Sequence, residues 1–366
     1  MSQAMVPFFC ASGANFGVDL GACIQDVVNS GQYVLGPQVQ AFEASFARYL
    51  GVGCAVGVGN GTDALTLALR ALGVGPGSRV LTVANAGCYA STAIAQAGAE
   101  PLYADVEPRH LTLSPTAVEV ALESGPVAAV VLTHLYGQMG EVERIGSICE
   151  SAGVPMIEDC AQAHGAARGG RKAGAWGRMG CFSFYPTKNL GALGDGGLVA
   201  TNDRELAERV RALRQYGWRA KYEVVLAGGC NSRLDELQAA VLLAKLHHLD
   251  DANAARRAIA QRYNVAFADL PLELPASMND DYVAHLYVVR TPRRSELQAY
   301  LTQHGVACAI HYPVSDHQQP VRVGQSPSLP ATEAACAEVL SLPCCPGLSS
   351  PQVEQVILAV RGFFRG

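Results

Sequence analysis

Apolar residues follow two rhythms along this chain, and the change from one to the other marks out its elements. From Gln38 to Tyr49 they fall at helical spacing, and Gly51 then stops the helix. The stretch CAVGVG reads as a short strand. It leads through Asn60-Gly61 into a second helix, with Thr62 or Asp63 near its N-cap. Further strands are predicted at Arg79–Val83, Glu100–Ala104, Val127–Leu132, Val154–Ile157, Cys181–Phe184 and Leu198–Thr201. Helices at Ser91–Ala97, Pro115–Glu123 and Glu143–Ser151 lie between the first of these. The strands are apolar throughout rather than alternating, as when both faces of a parallel sheet are covered. Short right-handed crossovers then make an α/β, mostly parallel, doubly wound sheet, with ligands at the carboxyl ends of its strands.

The pattern changes after Thr201. Asp203–Tyr216 is a charged amphipathic helix with a solvated face. Ser232 is placed to cap a helix running from about Leu234 to Leu249. Its apolar face, Leu237, Val241, Leu242, Leu249 and the stem of Lys245, suits a core or a dimer interface. A basic helix, Ala254–Tyr263, bridges to a second region. That region holds a strand (Ala284–Val289), a helix (Ser295–Gln303), a strand (Val306–His311) and a terminal helix from Ser350. The reading is a large domain over residues 1–250 and a smaller α+β domain over 251–366.

Composition narrows the class. Only 16% of the 366 residues are charged, against an average of about 25%, so the core is large and some surface suits burial in an oligomer. A net charge of −5 with no basic run argues against nucleic-acid partners. The opening MSQAMVPFFCASGANFG has neither a positive start nor a sustained apolar run, so no secretory leader and no membrane span are expected. Twelve cysteines without a CxxC spacing read as buried thiols of a reducing cytoplasm. The adjacent Cys344-Cys345 pair has no functional account at this level.

Three places carry candidate chemistry. In CFSFYPTKNLGALGDGG, Lys188 lies between a short aromatic strand and a glycine cluster. Apolar surroundings lower a lysine's pKa and free its amine for Schiff-base chemistry, although a loop lysine at a strand end fits the same local text. The Gly61-Thr62 turn aims backbone N–H groups and a helix dipole at one spot, which suits a phosphate. Capping alone explains it equally. Asp159 follows the strand VPMI, where it either caps a helix or pairs with a cationic ring nitrogen; His164 beside it is either a core histidine or a ring neighbour. Taken together, the order of phosphate turn, acid and reactive amine matches the three groups of pyridoxal 5′-phosphate: phosphate, ring nitrogen and aldehyde.

At that point the chain resembles the DegT/DnrJ/StrS family of sugar aminotransferases, which belong to the fold type I pyridoxal phosphate enzymes. The text that carries the resemblance is GQYVLGPQVQAFE, NGTDALTLAL, GAEPLYADVEPRHLTL, VPMIEDCAQAHGA, CFSFYPTKNLGALGDGG, GCNSRLDELQAAVLLAKLHHLD and HYPVSDHQQP, from about residue 31 onward. The resemblance implies a fold type I large domain and specific roles. Lys188 bonds the cofactor and moves protons, and Asp159 holds the pyridine nitrogen. Gln162 contacts the ring; Gly61, Thr62 and Ser183 hold the phosphate; Asn231 reaches the phosphate of the neighbouring subunit in a homodimer. Arg219, His311 and Tyr312 approach a nucleotide-diphosphate keto-sugar, and L-glutamate is the amino donor; in an acidic chain the basic Arg219 and Lys221 are the local clamps expected for the diphosphate. The sugar is of the deoxy type with its ketone at position 3 rather than 4. The chain departs from the family where an aromatic residue normally stacks on the cofactor ring: it reads Asn85-Ala86-Gly87-Cys88-Tyr89, so either Tyr89 stacks from a shifted position or the clamp comes from elsewhere. Two rivals stand beside this reading: a sugar dehydratase on the same fold, in which histidine replaces the lysine, and a non-catalytic sensing protein.

Overall fold

The computed structural model describes residues 5–15, 17–322 and 327–365, without the side chain of Arg322. Seven strands form one sheet: β1 (Cys54–Val58), β2 (Arg79–Thr82), β3 (Glu100–Tyr103), β4 (Ala129–Thr133), β5 (Met156–Asp159), β6 (Met179–Ser183) and β7 (Gly197–Thr201). Their spatial order is β1-β7-β6-β5-β4-β2-β3. Neighbours from β3 across to β6 pair parallel, and β7 alone runs against both β6 and β1. The carboxyl ends of β1, β2, β4, β5 and β6 therefore share one edge with the start of β7. The expected mostly parallel α/β sheet is the observed one.

Alternate residues of each strand enter opposite cores, as the two-residue period of a strand requires. Val130 and Leu132 join one cluster, with Phe42 and Phe46 of helix α1 (Pro37–Leu50) and with Phe182 and Phe184. Ala129 and Val131 join the other, with Leu65 and Leu69 of helix α2 (Gly61–Ala71) and Ala93 and Ile94 of α3 (Tyr89–Gln96). Burying both faces fixes the strands' register against slippage, so the edge they share is a rigid platform.

The helix expected from Leu234 to Leu249 is two helices. α4 (Glu236–Leu246) ends at His247, and α5 (Leu249–Phe267) starts after a two-residue break. Leu246 and Leu249, on either side of the break, belong to the first cluster, whereas Ile259, Tyr263 and Phe267 belong to a third one with Tyr282, Tyr287, Leu301 and Val360. α5 thus starts on the first cluster and carries the chain into the third. Ser232 does not cap α4, because its hydroxyl is already committed, accepting from Gly59 N (2.9 Å) and donating to Asp63 (2.6 Å). The expected boundary at residues 250/251 falls in the first turn of α5, and Val6 packs in the third cluster beside residues from the C-terminal third.

In that C-terminal part the paired strands are β8 (Tyr287–Arg290) and β9 (Val339–Leu342), antiparallel, with a helix at Pro330–Glu338 leading into β9. Val306–His311 is not a regular strand; its strand-like pairing among the described residues is limited to the isolated bridges Val6↔Val306 and Ala309↔Ser341. The terminal helix, Ser350–Arg365, begins where expected. No described helix is long and apolar enough to cross a membrane.

Candidate active site

A cavity of about 680 Å³ opens at the shared strand edge. Its wall takes residues from the end of nearly every central strand and from the C-terminal part: Asn60, Gly61 and Thr62 after β1, Thr133 ending β4, Asp159 ending β5 with Gln162 beyond it, and Ser183 ending β6 with Lys188 beyond it. Asn60, rather than Thr62 or Asp63, caps α2. Its extended backbone and its side-chain oxygen, which accepts from Asp63 N at 2.8 Å, start the helix. Gly61 and Thr62 then occupy the first helical positions, where the amides have no acceptor within the helix and the dipole is positive. Gly61 must be glycine here, since a Cβ would lie 2.6 Å from the Cβ of Ser183. This closeness sets the Ser183 side chain against Gly61 at the start of the helix. The result is a small anion cup.

Across the cavity, Lys188 sits in a turn after β6, its amide donating to Tyr185 O at 2.8 Å. Its amine donates to no acceptor among the described residues, and its accessible remainder faces the cavity it lines. Burial drops its pKa to about 8, against the opposing pull of the Asp159 charge. Asp159 is only 5% exposed. Burial raises its carboxyl's pKa, and the Ala161 amide (3.1 Å), Lys188 and the Thr133 hydroxyl (3.4 Å) pull the other way. Gln162 is locked, its carbonyl oxygen accepting from Tyr136 N (2.6 Å) and its amide donating to the Tyr312 hydroxyl (3.2 Å).

The other expected residues fall into two groups. Tyr89, His311 and Tyr312 line the same cavity. Tyr89 is 52% exposed at its rim, and its ring meets Tyr312 edge-on at 6.1 Å. Burial holds the His311 pKa down to about 4, so the ring is neutral; it stacks on Phe8 and bonds the Ser341 hydroxyl at 2.8 Å. Asn231, Arg219 and Lys221 lie outside the cavity of their own chain. Asn231 is exposed, and Arg219, paired with Glu223, sits with Lys221 on the exposed hairpin Trp218–Val224. His164 is fully buried against Phe182 and Phe184, the core histidine of the two readings.

Sequence reasoning missed part of the wall. Phe8, Phe9, Arg256, Cys344 and Cys345 also line the cavity, brought there by the N-terminal segment, α5 and the loop after β9. No local pattern announces residues so distant in the chain. The pair Cys344-Cys345 thus has a place: both are buried in this wall, and all twelve cysteines are free thiols. His134, Glu158 and Cys160 also cluster. Glu158, however, already accepts from the amides of Gly174, Trp176 and Gly177 and meets His134 Nε2, so the cluster is a hydrogen-bond hub.

These residues fit pyridoxal 5′-phosphate. A buried carboxylate with no arginine partner among the described residues wants a cation, two helix-start amides want an anion, and an acceptor-free amine is available to a carbonyl. Known proteins agree. The sequence profile of the DegT/DnrJ/EryC1/StrS aminotransferase family matches residues 18–361. The dTDP-3-amino-3,4,6-trideoxy-alpha-D-glucose transaminase of Streptomyces venezuelae is 44% identical over 363 residues, covering 97% of this chain and 95% of that one. The erythromycin biosynthesis sensory transduction protein EryC1 of Saccharopolyspora erythraea is 43% identical, covering 97% and 99%. The crystal structure of S. venezuelae DesV with a ketimine intermediate superposes with a TM-score of 0.96 over all of both chains, at 44% identity.

Proposed function

This chain belongs to the DegT/DnrJ/EryC1/StrS aminotransferase family, and from that premise we propose what its site acts on and how. It is a pyridoxal phosphate-dependent sugar aminotransferase. Its substrate in our reading is a deoxysugar ketone carried on a nucleoside diphosphate, with the ketone at C3 and L-glutamate as donor. The name of the S. venezuelae relative, with its amino group at C3 of a dTDP-linked sugar, supports the position. One observation carries the reading: the Lys188 amine, the buried Asp159 carboxylate and the Gly61-Thr62 amides converge on one cavity.

Bound there, the cofactor supplies a carbonyl that joins amines and a ring that holds the electrons left when a neighbouring C–H proton departs. Gly61, Thr62 and Ser183 hold its phosphate, and Asp159 keeps the ring nitrogen protonated through a charge-assisted bond. Lys188 Nζ takes the proton from the donor's α-carbon and later returns one to the sugar carbon that receives nitrogen. A pKa near 8 keeps enough free amine for the first step and enough acid for the second. Neutral His311 offers a ring nitrogen to a sugar hydroxyl without adding charge.

The chain works as a homodimer in this reading, in the reducing cytoplasm. Asn231, with the hairpin bearing Arg219 and Lys221, completes the cavity of a second copy. Exposed apolar residues beside them, Tyr33, Val34, Tyr222 and Val224, support a covered face. Retention of Lys188 speaks against the dehydratase rival, and the intact proton-handling set speaks against a purely sensing role.

The test is the visible spectrum of the purified protein with pyridoxal phosphate, before and after L-glutamate alone. A yellow Schiff-base band that glutamate bleaches supports the cofactor, the lysine and the donor together. A band untouched by glutamate removes glutamate as donor.

A further inference from the structure

The turn after β2 carries Gly87 where the resemblance implies an aromatic residue stacked on the cofactor ring, and Tyr89 stands half exposed at the rim. Something else fills that space. Gly87 has φ +75°, a left-handed conformation that favours glycine, and a Cβ there would lie 2.8–3.0 Å from three ring carbons of Tyr312. The Tyr312 ring therefore packs directly on the bare backbone of the turn.

Its position is held from every side. The Tyr136 hydroxyl donates to His311 O, and His311 Nδ1 meets the Ser341 hydroxyl. On the other side, Asp316 staples the Tyr312 loop to the turn. Its carboxylate accepts from Cys88 N (2.9 Å) and the Ser91 hydroxyl (2.8 Å), and its amide donates to Ala84 O (2.7 Å). The Tyr312 hydroxyl accepts from Gln162 Nε2 at 3.2 Å, and the same cavity wall carries Asp159 and Lys188. A half-buried phenol ring is thus fixed among the residues assigned to the cofactor.

We propose that Tyr312 is the aromatic wall against which the cofactor's pyridine ring lies, and that residue 87 is glycine because Tyr312 occupies the space its side chain would need. The proposal rests on the aminotransferase reading and moves Tyr312 from the sugar, where the resemblance placed it, to the cofactor. An aromatic face on a flat ring contributes about 0.5–1.5 kcal/mol, so losing it weakens binding by up to about tenfold.

The experiment measures the dissociation constant of pyridoxamine 5′-phosphate, which forms no bond with Lys188, by calorimetry on the apoprotein. Wild type, Tyr312→Phe, Tyr312→Leu, Tyr89→Leu and Gly87→Ala are compared, with thermal unfolding of each apoprotein as a fold check. Tyr312→Phe keeps the affinity within about twofold to threefold, Tyr312→Leu weakens it about tenfold, and Tyr89→Leu leaves it nearly unchanged. Gly87→Ala, which displaces the ring but leaves it present, weakens it severalfold and serves if Tyr312→Leu does not fold. Wild-type affinity in both Tyr312→Leu and Gly87→Ala overturns the proposal, as does a loss confined to Tyr89→Leu. A rise only in the sugar's KM with unchanged pyridoxamine phosphate binding returns Tyr312 to the sugar and also overturns it. Failure of the cofactor reading on which the proposal rests is separate, because the wild-type protein would then bind no pyridoxamine phosphate at all.

Discussion

Two lysines in this molecule are buried at different sites, and burial lowers the pKa of both to about 8. Lys188 faces the large cavity beside Asp159, with no acceptor on its amine among the described residues. Lys245, on α4 and 6% exposed, donates to Gly191 O (2.6 Å) and Asn15 (3.0 Å) at the edge of a second cavity of about 410 Å³. Desolvation alone therefore does not make a lysine catalytic. What separates the two is where the amine's hydrogen-bonding capacity goes. Lys245 spends it on Gly191, the third residue after Lys188, and thereby holds the loop that carries the reactive amine. One lysine is left free by the structure, and the other helps to keep it in place.

The sharpest way to test this contrast is to remove each amine. Lys188→Ala should abolish the Schiff-base band and lower turnover by about 10²–10⁴-fold or more. Turnover near the wild-type rate would end the catalytic assignment. Next in size is Asp159→Asn, which keeps the shape and removes the charge. Affinity for pyridoxamine phosphate and turnover should both fall by roughly a hundredfold, the scale of a charged hydrogen bond of about 1.5–3 kcal/mol. Unchanged binding calorimetry would mean that Asp159 is merely a core acid.

A smaller effect is expected from pH. The uncharged amine is the reactive form, so the initial rate at which apoprotein gains the yellow band should rise about fivefold from pH 7 to pH 8 and level off above pH 9. A flat profile would show that Lys188 is not the group captured. The smallest change belongs to Lys245→Met. It should keep the yellow band while costing about 1–3 kcal/mol, because Gly191 O loses its partner. The variant should also change the pH dependence of stability. A folded pKa of about 8 lies below the unfolded value of about 10.4, so the unfolded state binds more protons between them and raising pH stabilises the fold in that window. Denaturant titrations from pH 8 to 10 should therefore show the stability of wild type relative to Lys245→Met increasing with pH, since both proteins share every other titrating group.

Much of the site was legible because its residues sit at strand ends. Lys188, Asp159, Ser183 and Gly61 each follow an apolar run, and the carboxyl edge of a parallel sheet gathers such positions whatever the loops do. The cap at Asn60 was misjudged by two or three residues, since Thr62 and Asp63 are equally good capping types and only the backbone angles choose. Ser232 looked like a cap from its place before α4. The same hydroxyl serves Gly59 and Asp63 instead, partners more than 160 residues away. The break after Leu246 was invisible to periodicity, because apolar Leu246 and Leu249 on its two sides are three residues apart, as in one continuous helix, and enter the same cluster.

The sequence by itself determined the order of strands and helices, the α/β class and the order of phosphate turn, acid and amine, because period, glycine placement and local charge are properties of neighbouring residues. The tertiary structure alone decided which lysine is free, which aromatic stands over Gly87, and that Phe8, Arg256 and Cys345 share a wall with Lys188. Those outcomes depend on distances between segments far apart in the chain. Packing two faces of one sheet sets such distances, and no local pattern encodes them.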